Sequence, residues 1–133
     1  MLDWSRLVPL STVHEVRDTC ECLAAQRKAR LLARRFDLAF RPLGITNGQF
    51  SLMVALGTPK PWRIGPLADL LSMDRTTLTS TLNTLQRRKL VKITADPDDQ
   101  RVRLATLTSN GAALVAKAVP IWRDEHVKLE SEA

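Results

Sequence analysis

The chain has 133 residues, 44% of them hydrophobic and 26% charged, with a formal net charge of +6. That is enough apolar material for one packed domain and too much for a disordered or low-complexity chain, while two cysteines cannot frame a disulfide-stapled fold. No apolar run approaches the roughly 20 residues that cross a bilayer, and residues 1–10 hold Asp3 and Arg6 without an apolar signal core, so a cytoplasmic protein with no membrane partner is expected. Its basic balance favours a polyanionic partner.

Residues 13–40 contain neither proline nor glycine, and apolar residues recur at Val16, Cys20, Leu23, Ala24, Leu31 and Phe36. This spacing predicts one long helix, with Arg17, Arg27, Lys28, Arg30, Arg34 and Arg35 on its other face. At ~1.5 Å per residue it would span on the order of 40 Å, more than a domain of this size needs, and it is expected to pack against a second chain. Within it, Cys20 and Cys22 fall on different faces, which disfavours a mutual disulfide.

Pro42 and Gly44 interrupt the chain, and Thr46-Asn47-Gly48-Gln49 then reads as a capping box that starts a second helix through Phe50, Leu52, Met53, Val54 and Leu56. Gly57, Pro59 and Pro61 end it, leaving residues 58–63 as a loop. A short third helix is expected from Gly65-Pro66, with the proline at its first position, through Leu71. Ser72-Met73-Asp74 breaks it, and Asp74 is a suitable N-cap for a fourth helix from Arg75 to about Lys89.

That fourth helix carries a narrow apolar stripe, Leu78, Leu82 and Leu85, with Arg75, Thr76, Thr79, Ser80 and Asn83 mostly outside it. Threonine, serine and asparagine are poor helix formers, so helicity did not select Thr76, Thr77, Thr79, Ser80, Thr81, Asn83 and Thr84. Short hydroxyl and amide side chains suit a helix that must approach phosphates and base edges, and two helices joined by a tight turn deliver the second into a major groove.

Val91 and Ile93, then Val102 and Leu104, alternate with polar residues around Asp96-Pro97-Asp98-Asp99-Gln100, the pattern of a hairpin whose tip bears Arg101 beside several carboxylates. Thr108-Ser109-Asn110-Gly111 starts a last helix through Leu114, Val115, Val119, Ile121 and Trp122, which Pro120 should kink or divide. The only histidines, His14 and His126, lie at opposite ends, and the five glycines form no phosphate-binding loop or dinucleotide fingerprint. Neither a metal site, a cofactor nor an enzymatic site is expected.

This order of elements resembles the MarR family of bacterial winged-helix regulators. In that family an Asp-x-Arg group in the wing is followed by a Leu-Thr-x-x-Gly helix start, and here Asp99-Gln100-Arg101 precedes Leu107-Thr108-Ser109-Asn110-Gly111. The run from Leu43 to Phe50 is similar to the start of the family's second helix, so the resemblance covers residues 13–127. Two positions where the family commonly has glycine are Ser72, in the helix-turn-helix turn, and Lys89, before the wing, and a different local backbone is expected there.

The resemblance implies a mainly α fold with a small β-hairpin wing. Residues 42–108 would form the winged helix-turn-helix, and residues 1–41 and 109–133 a helical dimerisation region. It implies a homodimer that presents two recognition helices to a pseudo-palindromic operator in double-stranded DNA. Arg75, Thr76, Thr77, Thr79, Ser80 and Asn83 would face the major groove, Arg101 the minor groove, and Arg103 a phosphate. Family members are commonly repressors released by small aromatic or phenolic effectors, for which Arg17, Cys20, Gln49, Phe50 and Met53 are the expected lining residues.

The surroundings of Cys22 also look like the reactive-cysteine neighbourhood of the family's peroxide-sensing branch, although Gln26 stands where that branch has a tyrosine and the chain has none. A thiol-based oxidative-stress regulator using Cys22 is therefore one alternative. A winged helix that binds nucleic acid nonspecifically, or a protein partner, is another.

Overall fold

A computed structural model describes residues 4–133. After a 3-10 turn at Trp4–Arg6 come α1 (Leu10–Thr19), α2 (Glu21–Phe40), a second 3-10 turn (Arg41–Leu43) and α3 (Asn47–Ala55). Then follow β1 (Trp62–Arg63), α4 (Ile64–Leu71), α5 (Arg75–Arg87), β2 (Val91–Ala95), β3 (Arg103–Leu107) and α6 (Ser109–Glu132). The fold is mainly helical with a small antiparallel sheet, as expected. By contacts the chain divides between Arg35 and Phe36, and α2 crosses that boundary.

In the first unit the single long helix expected over 13–40 is two helices. Cys20 is extended at φ −70° and ψ 111°, although its N–H still donates to the Val16 carbonyl at 2.9 Å. Two local bonds explain the break. The Thr19 hydroxyl turns back onto the Glu15 carbonyl, and the Cys20 sulfur accepts the Leu23 N–H at 3.4 Å, capping the helix that follows. The two cysteines therefore do not share one helix, and the argument from helix faces does not apply to them. No residue of α1 is buried, and Leu10, Val13, Val16, Leu23 and Leu31 are exposed.

In the second unit the Thr46 capping box forms as read: the Thr46 hydroxyl accepts the Gln49 N–H at 3.1 Å and the Gln49 side chain accepts the Thr46 N–H at 3.0 Å. Asp37 holds the same helix start from α2, its Oδ1 accepting both the N–H and the side-chain amide of Asn47. Phe40 stacks on Phe50 at 4.7 Å, and with Leu52, Met53, Leu56 and Leu67 it joins the fully buried stripe Leu78, Leu82 and Leu85 in the core.

The residues expected as a loop, 58–63, end in β1, which pairs Trp62 with Ala105 and Arg63 with Leu104, so the sheet order is β1-β3-β2. Two residues are too short to show an alternating pattern. Pro66 occupies the third rather than the first helical position of α4, because Arg63 is the N-cap; there too a proline forfeits no helical hydrogen bond. The helix α6 runs unbroken through Pro120, which neither divides it nor ends it.

Helices α4 and α5 end alike. Ser72 (φ 51°) and Lys89 (φ 62°) are left-handed, and each is locked by two bonds. Ser72 N–H donates to Asp69 and Met73 N–H to Ala68; Lys89 N–H donates to Gln86 and Leu90 N–H to Leu85. This is the Schellman arrangement, and it holds non-glycine residues in the conformation that glycine usually supplies. The backbone expected to change at Ser72 and Lys89 is thus retained, and α5 stops at Arg87 rather than Lys89 for the same reason.

Candidate nucleic-acid interface

Asp74 caps α5 with both oxygens, accepting the Thr77 N–H and the Thr77 hydroxyl, each at 2.8 Å. These two bonds hold the Asp74 carboxyl below its ordinary range. The hydroxyl-rich sequence of α5 then sorts itself. Thr81 and Thr84 return their hydroxyls to the Thr77 and Ser80 carbonyls, so with Thr77 they serve the helix itself. Arg75, Thr76, Thr79, Ser80 and Asn83 instead line one open groove together with Arg87. The expected face is therefore brought together without Thr77 and with Arg87 added. Arg87 stands four residues beyond Asn83, a spacing that the sequence already displays.

The wing is built from Asp96. This buried carboxylate accepts the Asp98 N–H at 2.9 Å and the Arg63 guanidinium at 3.1 Å, tying β1 to the hairpin. At the tip, Asp99 Oδ1 accepts the Arg101 N–H at 3.1 Å and its Nε at 3.2 Å. Those contacts, led by the guanidinium, also lower the Asp99 carboxyl from its ordinary value. They fix the Arg101 stem while its side chain remains 91% exposed. Arg101 and Arg103 then line a second groove with Arg63, Gly65, Arg75 and Thr79, continuous with the α5 face through Arg75 and Thr79. Arg63 escaped the sequence reading because β1 did.

The wing and α5 are held in register. Gln86 Oε1 accepts the Ile93 N–H at 3.1 Å, and Thr108 joins the start of α6 to the end of α5: its hydroxyl donates to the Lys89 carbonyl at 2.7 Å and accepts the Gly111 N–H at 3.0 Å.

The other expected site residues fall in both units, Arg17, Cys20 and Cys22 in the first and Gln49, Phe50 and Met53 in the second. Arg17 pairs with Asp18 at 2.7 Å and Gln49 is used in its capping box. Met53 is buried in the core, whereas Phe50 also edges an apolar crevice of about 370 Å³ with Val54, Val119 and Trp122. Cys20 is half-buried; Cys22 is exposed and accepts the Gln26 side-chain amide at 3.4 Å. Among the described residues no helix is long and apolar enough to cross a membrane.

An 8-residue helix and a 13-residue helix joined by a tight turn and followed by a basic hairpin define a winged helix-turn-helix protein. The sequence model of the MarR family matches residues 45–102. The solved M. tuberculosis transcriptional regulator MosR in complex with DNA is 35% identical, with a TM-score of 0.79 over 86% of this chain and 83% of MosR. The chain belongs to the MarR family and is a transcriptional regulator, not an enzyme. The HTH-type transcriptional repressor NicR of Pseudomonas putida is 32% identical over 79 residues, which are 59% of this chain and only half of NicR's length. The organic hydroperoxide resistance transcriptional regulator of Bacillus subtilis is 26% identical over 100 residues, 75% of this chain and 68% of that protein.

Proposed function

We propose that the chain is a sequence-specific double-stranded DNA-binding repressor, acting in the cytoplasm as a homodimer on a pseudo-palindromic operator and released by a small aromatic or phenolic effector. The observation that carries this reading is the α5 groove. Short polar side chains, Thr76, Thr79, Ser80 and Asn83, lie between Arg75 and Arg87, so base-edge donors and acceptors are framed by cations that bind phosphate. Arg101, held by Asp99, is the minor-groove contact at the wing, and Arg103 a phosphate contact. Thr77 contributes by fixing the first turn of α5.

Dimerisation through residues 1–41 and 109–133 accounts for apolar side chains that face solvent in the single chain: Leu10, Val13, Val16, Leu23 and Leu31 on α1 and α2, and Trp122 and Val127 on α6. A dimer doubles the formal charge to about +12, which favours counterion release. The effector would enter beside Phe50, where the apolar crevice opens, with Gln49 and Met53 as the remaining candidates in that unit; it must bind the DNA-free spacing of the two recognition helices better than the bound one.

Fluorescence anisotropy against the intergenic DNA beside the protein's own gene and against scrambled DNA, at two salt concentrations, tests this reading. Tight binding to the intergenic fragment alone supports it. Equal, salt-sensitive binding to both fragments, followed by no enriched sequence on selection from random DNA, replaces it with a nonspecific binder, and absence of binding points to a protein partner.

A second reading, thiol sensing, is favoured by the exposed Cys22 sulfur and the Gln26 amide that donates to it. The Cys22 thiolate would attack a peroxide oxygen, breaking the O–O bond, so that the sulfur becomes a sulfenic acid and an alcohol or water leaves.

A further inference from the structure

We infer that Gly65 is a seat for Arg75, and that the seated guanidinium belongs to a backbone-phosphate clamp with Arg63, Arg101 and Arg103 rather than to base readout. The inference rests on the DNA-binding reading and adds a positioning residue and a division of labour to it.

Arg75 is the first residue of α5, and a cation at a helix start has no favourable partner in the helix itself, because that end carries the positive pole of the macrodipole. Its side chain lies instead against α4. A Cβ built on Gly65 would sit 2.7 Å from Arg75 Nη2 and 3.4 Å from its Cζ, so any side chain at position 65 occupies the place where the guanidinium rests. Gly65 does not have a left-handed φ, and it lies inside α4, where alanine is the better helix former. Backbone conformation therefore gives no reason for glycine here; the approach of Arg75 does.

Seated in this way, Arg75 lines the groove between α4, α5 and the wing that Arg63, Arg101 and Arg103 also line. Two of these four cations have carboxylate partners, Arg63 with Asp96 and Arg101 with Asp99, leaving an excess of positive charge in the groove. The groove adjoins both the α5 face and the wing tip. A strand running from the major groove under α5 to the minor groove under Arg101 must carry its phosphates past this junction. A planar guanidinium suits a phosphate there, whereas the base-edge positions along α5 fall to Thr79, Ser80 and Asn83.

The test compares wild type, Gly65→Ala, Arg75→Ala and the double variant by anisotropy on the selected operator and on scrambled DNA across a salt series, with thermal unfolding of each. Loss of one phosphate contact per half-site removes two from the dimer, which lowers the slope of log K against log salt by about 1.8 and weakens binding by roughly 60-fold at 0.1 M salt relative to the 1 M intercept. The expected result is that loss for Gly65→Ala and for Arg75→Ala alike, equal on both DNAs and no larger in the double variant, while Gly65→Ala melts at or above the wild-type temperature. A folded Gly65→Ala variant with the wild-type slope overturns the inference, as does an Arg75→Ala loss confined to the operator. Wild type without a salt-dependent slope on either DNA overturns the DNA-binding reading and this inference with it. If Gly65→Ala melts below wild type, Gly65→Ser provides the second comparison, and a wild-type slope there is equally fatal.

Discussion

Gly111→Ala adds a single methyl group in the first turn of α6, and a loss of about 3 kcal/mol is expected from it. The added Cβ would lie 2.1 Å from the Leu90 carbonyl oxygen and 2.6 Å from Leu107 Cδ1, where ordinary contact begins at 3.4 Å. The Leu90 carbonyl cannot simply swing away. It accepts the Thr108 N–H at 3.1 Å, and the neighbouring Lys89 carbonyl accepts the Thr108 hydroxyl at 2.7 Å. Helix α6 cannot retreat without stretching those bonds and the Gly111 cap bond to Thr108 at 3.0 Å.

Overpacking of this kind costs about 1–3 kcal/mol, each weakened hydrogen bond about 1, and the better helix propensity of alanine returns up to ~1. With a urea dependence of about 2 kcal/mol/M, the unfolding midpoint should fall by roughly 1.5 M, followed by circular dichroism at equal protein concentration. Gly48→Ala is the control, since a Cβ there meets only Thr46 Oγ1 at 4.0 Å; its midpoint should stay or rise. A Gly111→Ala midpoint at or above wild type would refute the account of the Leu-Thr-x-x-Gly motif as a steric and hydrogen-bonded joint.

On operator DNA, Thr79→Ala or Asn83→Ala should narrow the gap between specific and scrambled DNA by roughly 1 to 3 kcal/mol, and an unchanged preference in both variants would remove α5's open face as the reader. Arg101→Ala should weaken binding through the wing; equal anisotropy curves for this variant and wild type would show that the exposed arginine makes no contact. The Asp74 carboxyl is lowered in the folded chain by the Thr77 bonds, so its stabilisation is present above the ordinary carboxylate range and lost as pH falls through the lowered value. Asp74→Asn keeps a cap without that titration. The midpoint difference between the two proteins should be flat from pH 7 to about pH 5 and shrink below about pH 4, and a difference that stays constant to pH 3 would contradict this assignment. For the thiol reading, peroxide should weaken DNA binding by wild type and not by Cys22→Ser; an equal response in both ends it.

The parts of the fold set by local, short-range chemistry were legible in the sequence. Thr46 with Gln49, Asp74 and Thr108 each announce a helix start through a side chain that reaches its own first turn, and each is found capping as read. The 3.6-residue stripe Leu78, Leu82 and Leu85 is likewise buried as its spacing required. Less visible were features decided by competition between local bonds. Nothing in the apolar spacing of residues 13–40 marks Cys20, because the break arises from one hydroxyl and one sulfur choosing backbone partners. The seven polar residues of α5 form one class by composition, yet three are used by the helix and four remain on the open face, a division that depends on which hydroxyls lie over a carbonyl. Gly65 stands in the first turn of a helix, as its sequence signal indicates, and is also the place where the Arg75 side chain comes close, which nothing local announces.

Ser72 and Lys89 show why a departure from glycine did not change the backbone. A left-handed non-glycine residue costs roughly 1–2 kcal/mol, which a free loop would relieve by moving. At Lys89 the surroundings leave no such freedom. The turn is closed on one side by bonds to Gln86 and Leu85, and its own carbonyl is held by the Thr108 hydroxyl at the start of α6. Leu85 and Leu90, the residues that bracket the turn, are both buried. Two elements thus fix one residue: the last turn of α5 and the first turn of α6. The same joint ties the end of α5 to the first turn of α6. Were an effector in the crevice that Val119 and Trp122 edge beside Phe50 to shift α6, the end of α5 would be pulled through the bonds that Thr108 makes to the Lys89 and Leu90 carbonyls.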